Sequence, residues 1–308
     1  MAKKYLFIFL SILGSGLDGF CQDLEYLTVD DFDLNGNVKL CTVITDYGRE
    51  VFEFDESGLL IKSTTQYNEE DQDITIYRYE GGFLTERRME SYKNGELDKS
   101  TSMANFFEID TSAATIINEK VISYDKQFVE NQIFRFDESD RLVGITVSHL
   151  NAVDETTVTY TDYKDESTKT YFLNEVIQKS VRTSTQKKDG LQITTVLTKD
   201  FLDGKPNRAT EETFDEEGRL LTKTSFYFDS KINQFAPEEN STNEYNEDGV
   251  LAKTLVKRGN TVFQKEYIFQ FDDNPSKNWV KKIVTPDNTY TTRRLEYYPQ
   301  EDVGFKSD

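Results

Sequence analysis

The sequence predicts an all-β protein of tandem antiparallel β-hairpin repeats that form an elongated, curved or spiralling meander sheet. Three observations predict it. A fixed phrase recurs along the chain, the runs around it alternate apolar and polar residues, and turn residues punctuate those runs at short intervals. The phrase is an aromatic, Asp, two residues, Gly, one residue and Leu. It reads Phe54-Asp55-Glu56-Ser57-Gly58-Leu59-Leu60 and Phe136-Asp137-Glu138-Ser139-Asp140-Arg141-Leu142. It returns as Phe214-Asp215-Glu216-Glu217-Gly218-Arg219-Leu220 and Tyr245-Asn246-Glu247-Asp248-Gly249-Val250-Leu251, with looser copies at Tyr79 and Phe271.

Each phrase reads as a hairpin. Asp55 opens a type I turn and caps it by accepting from backbone N–H groups two residues on, while Gly58 takes the left-handed conformation without a Cβ clash. A three-residue loop of this kind sets Asp55 opposite Leu59 and Phe54 opposite Leu60. That cross-strand pair stabilises the ladder by roughly 0.2–1 kcal/mol. Gly218 and Gly249 belong in the same conformation, and Asp140 takes Gly's place in the second copy at some cost.

The remaining elements follow in chain order. A turn at Asn35-Gly36 precedes a first long strand, Val38 to Tyr47, and the first phrase follows. A turn at Lys93-Asn94-Gly95-Glu96 follows the shortened copy, turns at Lys164-Asp165-Glu166-Ser167 and Lys187-Lys188-Asp189-Gly190 separate Thr-rich alternating runs, and Asp203-Gly204 marks another. Ala113-Ala114-Thr115-Ile116-Ile117 fits a strand or a short helix, since short apolar runs do not decide between them. Phe226 to Asn240 reads as one longer hairpin tip. In the Phe271 copy the loop is longer and Trp279 stands where Leu stands elsewhere.

Residues 1–21 have the features of a signal peptide: Lys3 and Lys4, a short apolar run from Tyr5 to Leu13, and small residues before a cut at Cys21–Gln22. Phe20 directly before Cys21 argues against lipidation. Residues 22–308 then form a single hairpin-repeat domain, exported to the periplasm or secreted. No later stretch approaches the roughly 20 apolar residues of a membrane helix, so no membrane insertion is expected after signal removal. Cys41 is then the sole cysteine of the mature chain, and its expected role is a small buried side chain. A net charge of −20 excludes nucleic acid as a partner, because phosphate binding needs a basic footprint.

Chemistry-bearing motifs are scarce. Asp31-x-Asp33-x-Asn35-Gly36 matches half of a calcium loop, but Thr42 stands where the bidentate acid belongs. His149 is the single histidine, and no nucleophile elbow, phosphate loop or dinucleotide fingerprint is present. Among 56 acids a coincidental carboxylate pair is expected, so glycosidase chemistry is not specified by their presence. Trp279 and the tyrosine-rich strands offer stacking surfaces, although filling the Leu slot of its repeat suffices to explain Trp279. No catalytic, cofactor or metal residue is therefore nominated, and the chain is not expected to be an enzyme.

The quoted phrases resemble those of YD-repeat (RHS-like) proteins, in particular short secreted members of Bacteroidota. Leu34-Asn35-Gly36-Asn37-Val38-Lys39 is similar to their opening segment. Asn278-Trp279-Val280-Lys281-Lys282 with Arg293-Arg294-Leu295-Glu296-Tyr297-Tyr298 is similar to their closing unit. The resemblance implies stacked hairpins and no shared catalytic residues. The scarcity of chemistry-bearing motifs beside so many strands points to a binding or scaffold protein of the envelope or exterior with a protein or glycan partner. The alternatives are a carboxylate-dependent glycan-active enzyme and a toxin-immunity or inhibitor protein.

Overall fold

The computed structural model describes residues 26–45, 48–125 and 127–299. The expected signal peptide and its cleavage site lie outside them. The described chain divides into two compact units. One holds Ala104–Ile268 and Val284–Thr289; the other runs to Met103 and adds Phe269–Ile283 and the chain from Tyr290.

Strand follows strand throughout. After a short 3-10 turn at Val29–Phe32 come β1 (Val38–Thr45), β2 (Gly48–Phe54), β3 (Leu60–Gln66), β4 (Gln72–Glu80), β5 (Phe83–Lys93) and the two-residue β6 (Glu96–Leu97). Then follow β7 (Met103–Asp110), β8 (Ile116–Ser123), β9 (Phe128–Phe136), β10 (Leu142–Ser148), β11 (Val153–Tyr163) and β12 (Glu166–Leu173). The long central hairpins are β13 (Val176–Lys188), β14 (Leu191–Leu202), β15 (Lys205–Phe214), β16 (Leu220–Asp229) and β17 (Gln234–Tyr245). The chain ends with β18 (Leu251–Arg258), β19 (Thr261–Phe271), β20 (Trp279–Thr285) and β21 (Thr289–Tyr297). The segment at 113–117 resolves into a loop entering β8, and Phe226–Asn240 into paired strand around a tip at 230–233, with Pro237 opposite Phe226.

Hydrogen-bonded pairing joins all 21 strands in one sheet, and β21 pairs back onto β1 with Val43 opposite Arg293 and Cys41 opposite Leu295. Because β6 pairs only with the end of β5, the closed circuit has 20 strands. This corrects the expected open, elongated meander: the protein is all-β and antiparallel, but its sheet closes on itself. The physical reason is edge satisfaction. An open sheet leaves two rows of unpaired backbone groups, and closure pairs them.

Closure also overturns the expectation of no membrane insertion. That expectation rested on the lack of a long apolar helix, a criterion blind to strands. No described helix is long and apolar enough to cross a membrane, and this says nothing of a β-barrel. A closed antiparallel sheet is the β architecture that a bilayer admits, because no backbone group is left without a partner.

The best-packed region of the first-described strands is the cluster of Leu34, Val38, Cys41, Phe54 and Leu60, each no more than 1% exposed. Phe32, carried by the 3-10 turn, meets Phe52 at a tilt and Phe54 edge-on, with centroids 4.5 and 5.3 Å apart. Burying Phe54 and Leu60 contributes about 1.5–3 kcal/mol each. In the other unit Ile117, Phe134 and Ile145 form one buried cross-strand row on β8, β9 and β10. From β12 to β18 nearly every described side chain is half-buried or exposed.

Candidate binding surface

The repeat phrase is a conserved piece of geometry within this one chain. Asp55 Oδ1 accepts from the Ser57 and Leu59 N–H groups at 2.9 and 3.0 Å, and Gly58 N–H donates to the Asp55 carbonyl at 3.0 Å. Asp137, Asp215 and Asn246 repeat this set with their own downstream amides. Gly58, Gly218 and Gly249 have φ of 85°, 80° and 75°, and Asp140 takes 55° in the same position. Phe54 faces Leu60, Phe136 faces Leu142, Phe214 faces Leu220 and Tyr245 faces Leu251, each beside a one-residue register shift. Donation by the Arg141 and Ser139 amides and by the Arg141 side chain holds the Asp137 carboxyl below the usual carboxylate range.

A second device was hidden in the sequence. The carbonyl of the phrase Leu accepts from a tyrosine hydroxyl on the next strand. Tyr79 reaches Leu60 at 2.8 Å, Tyr160 reaches Leu142 at 3.0 Å and Tyr245 reaches Leu220 at 2.9 Å. In two copies the residue before Leu is an arginine that closes the unit. Arg141 and Arg219 donate to the turn carboxylates of Asp137 and Asp215 at 2.9 and 2.6 Å. Their guanidinium groups lie 4.8 and 5.2 Å from the centroids of Tyr160 and Tyr245. Tyr160 therefore marks a degenerate copy of the repeat. The signals that betray it are the arginine in the sixth position of two phrases and a tyrosine after the following turn.

The residues weighed for chemistry are placed in structural roles. Asp31 accepts from the Thr28 N–H at 2.7 Å, and Asp33 accepts from Trp279 Nε1 at 2.7 Å. Asn278 Oδ1 accepts from the Asn35 N–H at 2.7 Å, and its Nδ2 donates to the Asn35 carbonyl at 2.8 Å. The Arg293 guanidinium covers Trp279 at 3.5 Å and donates to the carbonyls of Phe32 and Asp33. Trp279 is 8% exposed and is no free stacking platform. These contacts bind the segment before β1 to β20 and β21, so the opening and closing segments singled out in the sequence meet. Cys41 is buried, and His149 Nδ1 lies 3.5 Å from Glu130 on the surface. Among the described residues no three His, Cys, Asp or Glu side chains group to hold a metal ion.

What the strands offer instead is cross-strand rows. Register places Glu166, Ser184, Thr195, Thr213, Thr222 and Thr242 side by side across β12 to β17. Thr213 and Thr222 share a hydroxyl–hydroxyl bond of 2.7 Å. The opposite face carries a mixed row that includes Thr183, Val196, Glu212, Lys223 and Ser241, with Lys223 paired to Glu212 at 2.8 Å. Rows of hydroxyl, amine and carboxylate at the 4.7–4.9 Å strand spacing can hydrogen-bond an extended partner at many points.

No protein-family model matches the sequence, and no curated protein matches it. Solved structures similar to the chain include porin-like proteins of two Bacteroides species. One, from Bacteroides vulgatus ATCC 8482, is 12% identical with a TM-score of 0.25. The other, from Bacteroides uniformis ATCC 8492, is 7% identical with a TM-score of 0.30. Each match covers 85% of this chain and 99% of the other. Likeness at this level does not define a shared fold.

Proposed function

We propose that this is an exported envelope protein of the YD-repeat type that acts by binding a protein or glycan partner, without catalytic turnover. The observation that carries the reading is the polar row running from Glu166 to Thr242. It spans six strands, is half-exposed along its length, and is built from five hydroxyls that both donate and accept beside the accepting carboxylate of Glu166. A lipid-facing surface needs an apolar band, so this sector of the sheet fits a binding role. The recurrence of one turn geometry in four copies, with the tyrosine bond on three of them, supports the repeat-family assignment.

The test combines location and activity. The native protein is followed through envelope fractionation and an alkaline wash, then used to capture partners from solubilised envelope. Purified mature protein is screened against polysaccharides and peptides for binding and turnover. Envelope association with saturable binding and unchanged ligand supports the reading. Turnover that is abolished by changing one or two carboxylates refutes it.

A further inference from the structure

The β11–β12 hairpin departs from the repeat phrase, and the departure leaves a hollow. After Tyr160 the chain runs directly into a two-residue turn, Lys164-Asp165, with Tyr163 opposite Glu166. Lys164 holds φ 55°, a left-handed conformation that costs a residue with a Cβ roughly 1–2 kcal/mol. Such strain persists where the surroundings hold it in place. Here the Thr185 N–H on β13 donates to the Asp165 carbonyl at 3.1 Å. β13 continues past the end of β12, still paired with β14 to Lys188 opposite Leu191. The turn thus rests against a longer strand, and the hollow forms between them, lined by Tyr163, Lys164, Asp165, Glu166, Ser184 and Gln186.

Register fixes how these groups converge. Tyr163, Glu166 and Ser184 are direct cross-strand neighbours on one face, and Gln186 lies two residues beyond Ser184 on that same face. Tyr163 is 65% exposed, with Lys164 Nζ 5.1 Å from its ring centroid. The side chains of Asp165, Glu166, Ser184 and Gln186 have no hydrogen-bond or ion-pair partner among the described residues. A neighbouring polar group is committed by contrast: Ser167 donates to Asp162 at 2.6 Å.

We propose that this hollow is a subsite for a neutral glycan, taking one pyranose unit against Tyr163 with its hydroxyls among Glu166, Ser184 and Gln186. A neutral sugar presents an apolar C–H face and a rim of groups that both donate and accept. An aromatic ring beside a carboxylate, a hydroxyl and an amide matches both parts. A polyanion would meet Asp165 and Glu166, and a polycation would meet Lys164. The assignment rests on the binding reading above and narrows its partner to a glycan.

The test is calorimetric titration of the full mature protein with maltohexaose, cellohexaose and mannohexaose. At least one should bind saturably. Tyr163→Ala should weaken that binding at least tenfold, whereas Tyr163→Phe, which keeps the ring, should stay within about twofold. Gln186→Ala should weaken it about three- to tenfold, the value of one lost hydrogen bond. Far-UV circular dichroism and the thermal midpoint of each variant identify any that fail to fold, and the Phe and Gln variants keep the test open if Tyr163→Ala is one of them. The subsite is overturned if none of the three probes saturates, or if folded Tyr163→Ala binds like the parent. The second result leaves the broader binding reading standing. Conversion of a probe to shorter sugars would overturn that reading instead.

Discussion

Replacing Tyr160 by Phe should cost more stability than replacing Tyr245 by Phe, although both remove one hydroxyl from one leucine carbonyl. The difference lies in what the carbonyl has left. Leu220 also accepts from Asn243 Nδ2 at 2.9 Å, so its oxygen stays bonded when the Tyr245 hydroxyl is removed. The Leu142 carbonyl accepts from Tyr160, and Leu142 is 3% exposed. Across the hairpin the Phe136 N–H is turned away, donating to the Thr115 carbonyl at 3.0 Å. A typical bond contributes about 0.5–1.5 kcal/mol, and stranding a buried acceptor costs about 1–3 kcal/mol. Tyr245→Phe should therefore cost about 0.5 kcal/mol and Tyr160→Phe about 1.5 kcal/mol. Phe keeps the ring over which Arg141 and Arg219 lie, so the arginine contact is common to both and cancels. Two compact units need not unfold together, so a global midpoint is the wrong observable. Amide hydrogen exchange at 142–147 and 220–225 reads each site locally, and the expected gap is about a fivefold difference in opening. Equal losses at the two sites, or none at either, would refute the role assigned to the tyrosine bond.

Gly218→Ala should destabilise its hairpin by about 1 kcal/mol, because φ is 80° there, and Asp140→Gly should stabilise its own by up to about 1 kcal/mol. Chemical denaturation of the two variants beside the parent checks the opposite signs. The depressed Asp137 carboxyl gives a pH dependence of definite sign. Its contribution is present above the unfolded carboxylate pKa of about 3.9 and is lost as pH falls through the lower folded value. Protection from exchange at 137–142, relative to the intrinsic rate at each pH, should thus fall below about pH 4. In Asp137→Asn, which keeps the acceptor as Asn246 does, that loss should vanish. Closure of the sheet is tested by Thr42→Cys with Arg294→Cys, which face each other across β1 and β21. Antiparallel partners lie about 4.5–5.5 Å apart at Cα, within disulfide reach, so mild oxidation should yield an intramolecular bond. An open sheet would leave both thiols reduced.

The local plan was readable because each hairpin is specified by residues close in sequence. Asp at the second position, Gly at the fifth and Leu at the seventh constrain one turn, and Phe54, Leu60 and their counterparts fall into register with no help from distant parts. The shortened copy at Tyr79 closes through Gly81 and Gly82 at φ 59° and 83°, again from adjacent residues. Tyr160 lies in a copy that lacks the phrase, so its signals are weak and the bond to Leu142 is what identifies it. The hollow beside Tyr163 was invisible for a related reason: it depends on β13 outrunning β12, a difference of strand length that no motif encodes.

Closure lay furthest from sequence reasoning, and its cause is physical. Alternation and turn residues state that each strand pairs with the next, a rule satisfied equally by an open meander and by a closed circuit. The choice is made by contacts such as Val43 with Arg293, separated by nearly the whole chain. Those contacts were present in the sequence only as two unexplained segments, one ending at Lys39 and one beginning at Asn278. In the structure each completes the other. Asn278 satisfies both backbone groups of Asn35, Trp279 donates to Asp33, and the Tyr298 hydroxyl donates to the Phe54 carbonyl at 2.8 Å. These four bonds commit polar groups that an open sheet would leave to solvent, at about 0.5–1.5 kcal/mol each. They join the two ends of the repeat array across more than 240 residues of sequence. The non-repeating ends thus act as the clasp, and that explains why they depart from the phrase the rest of the chain obeys.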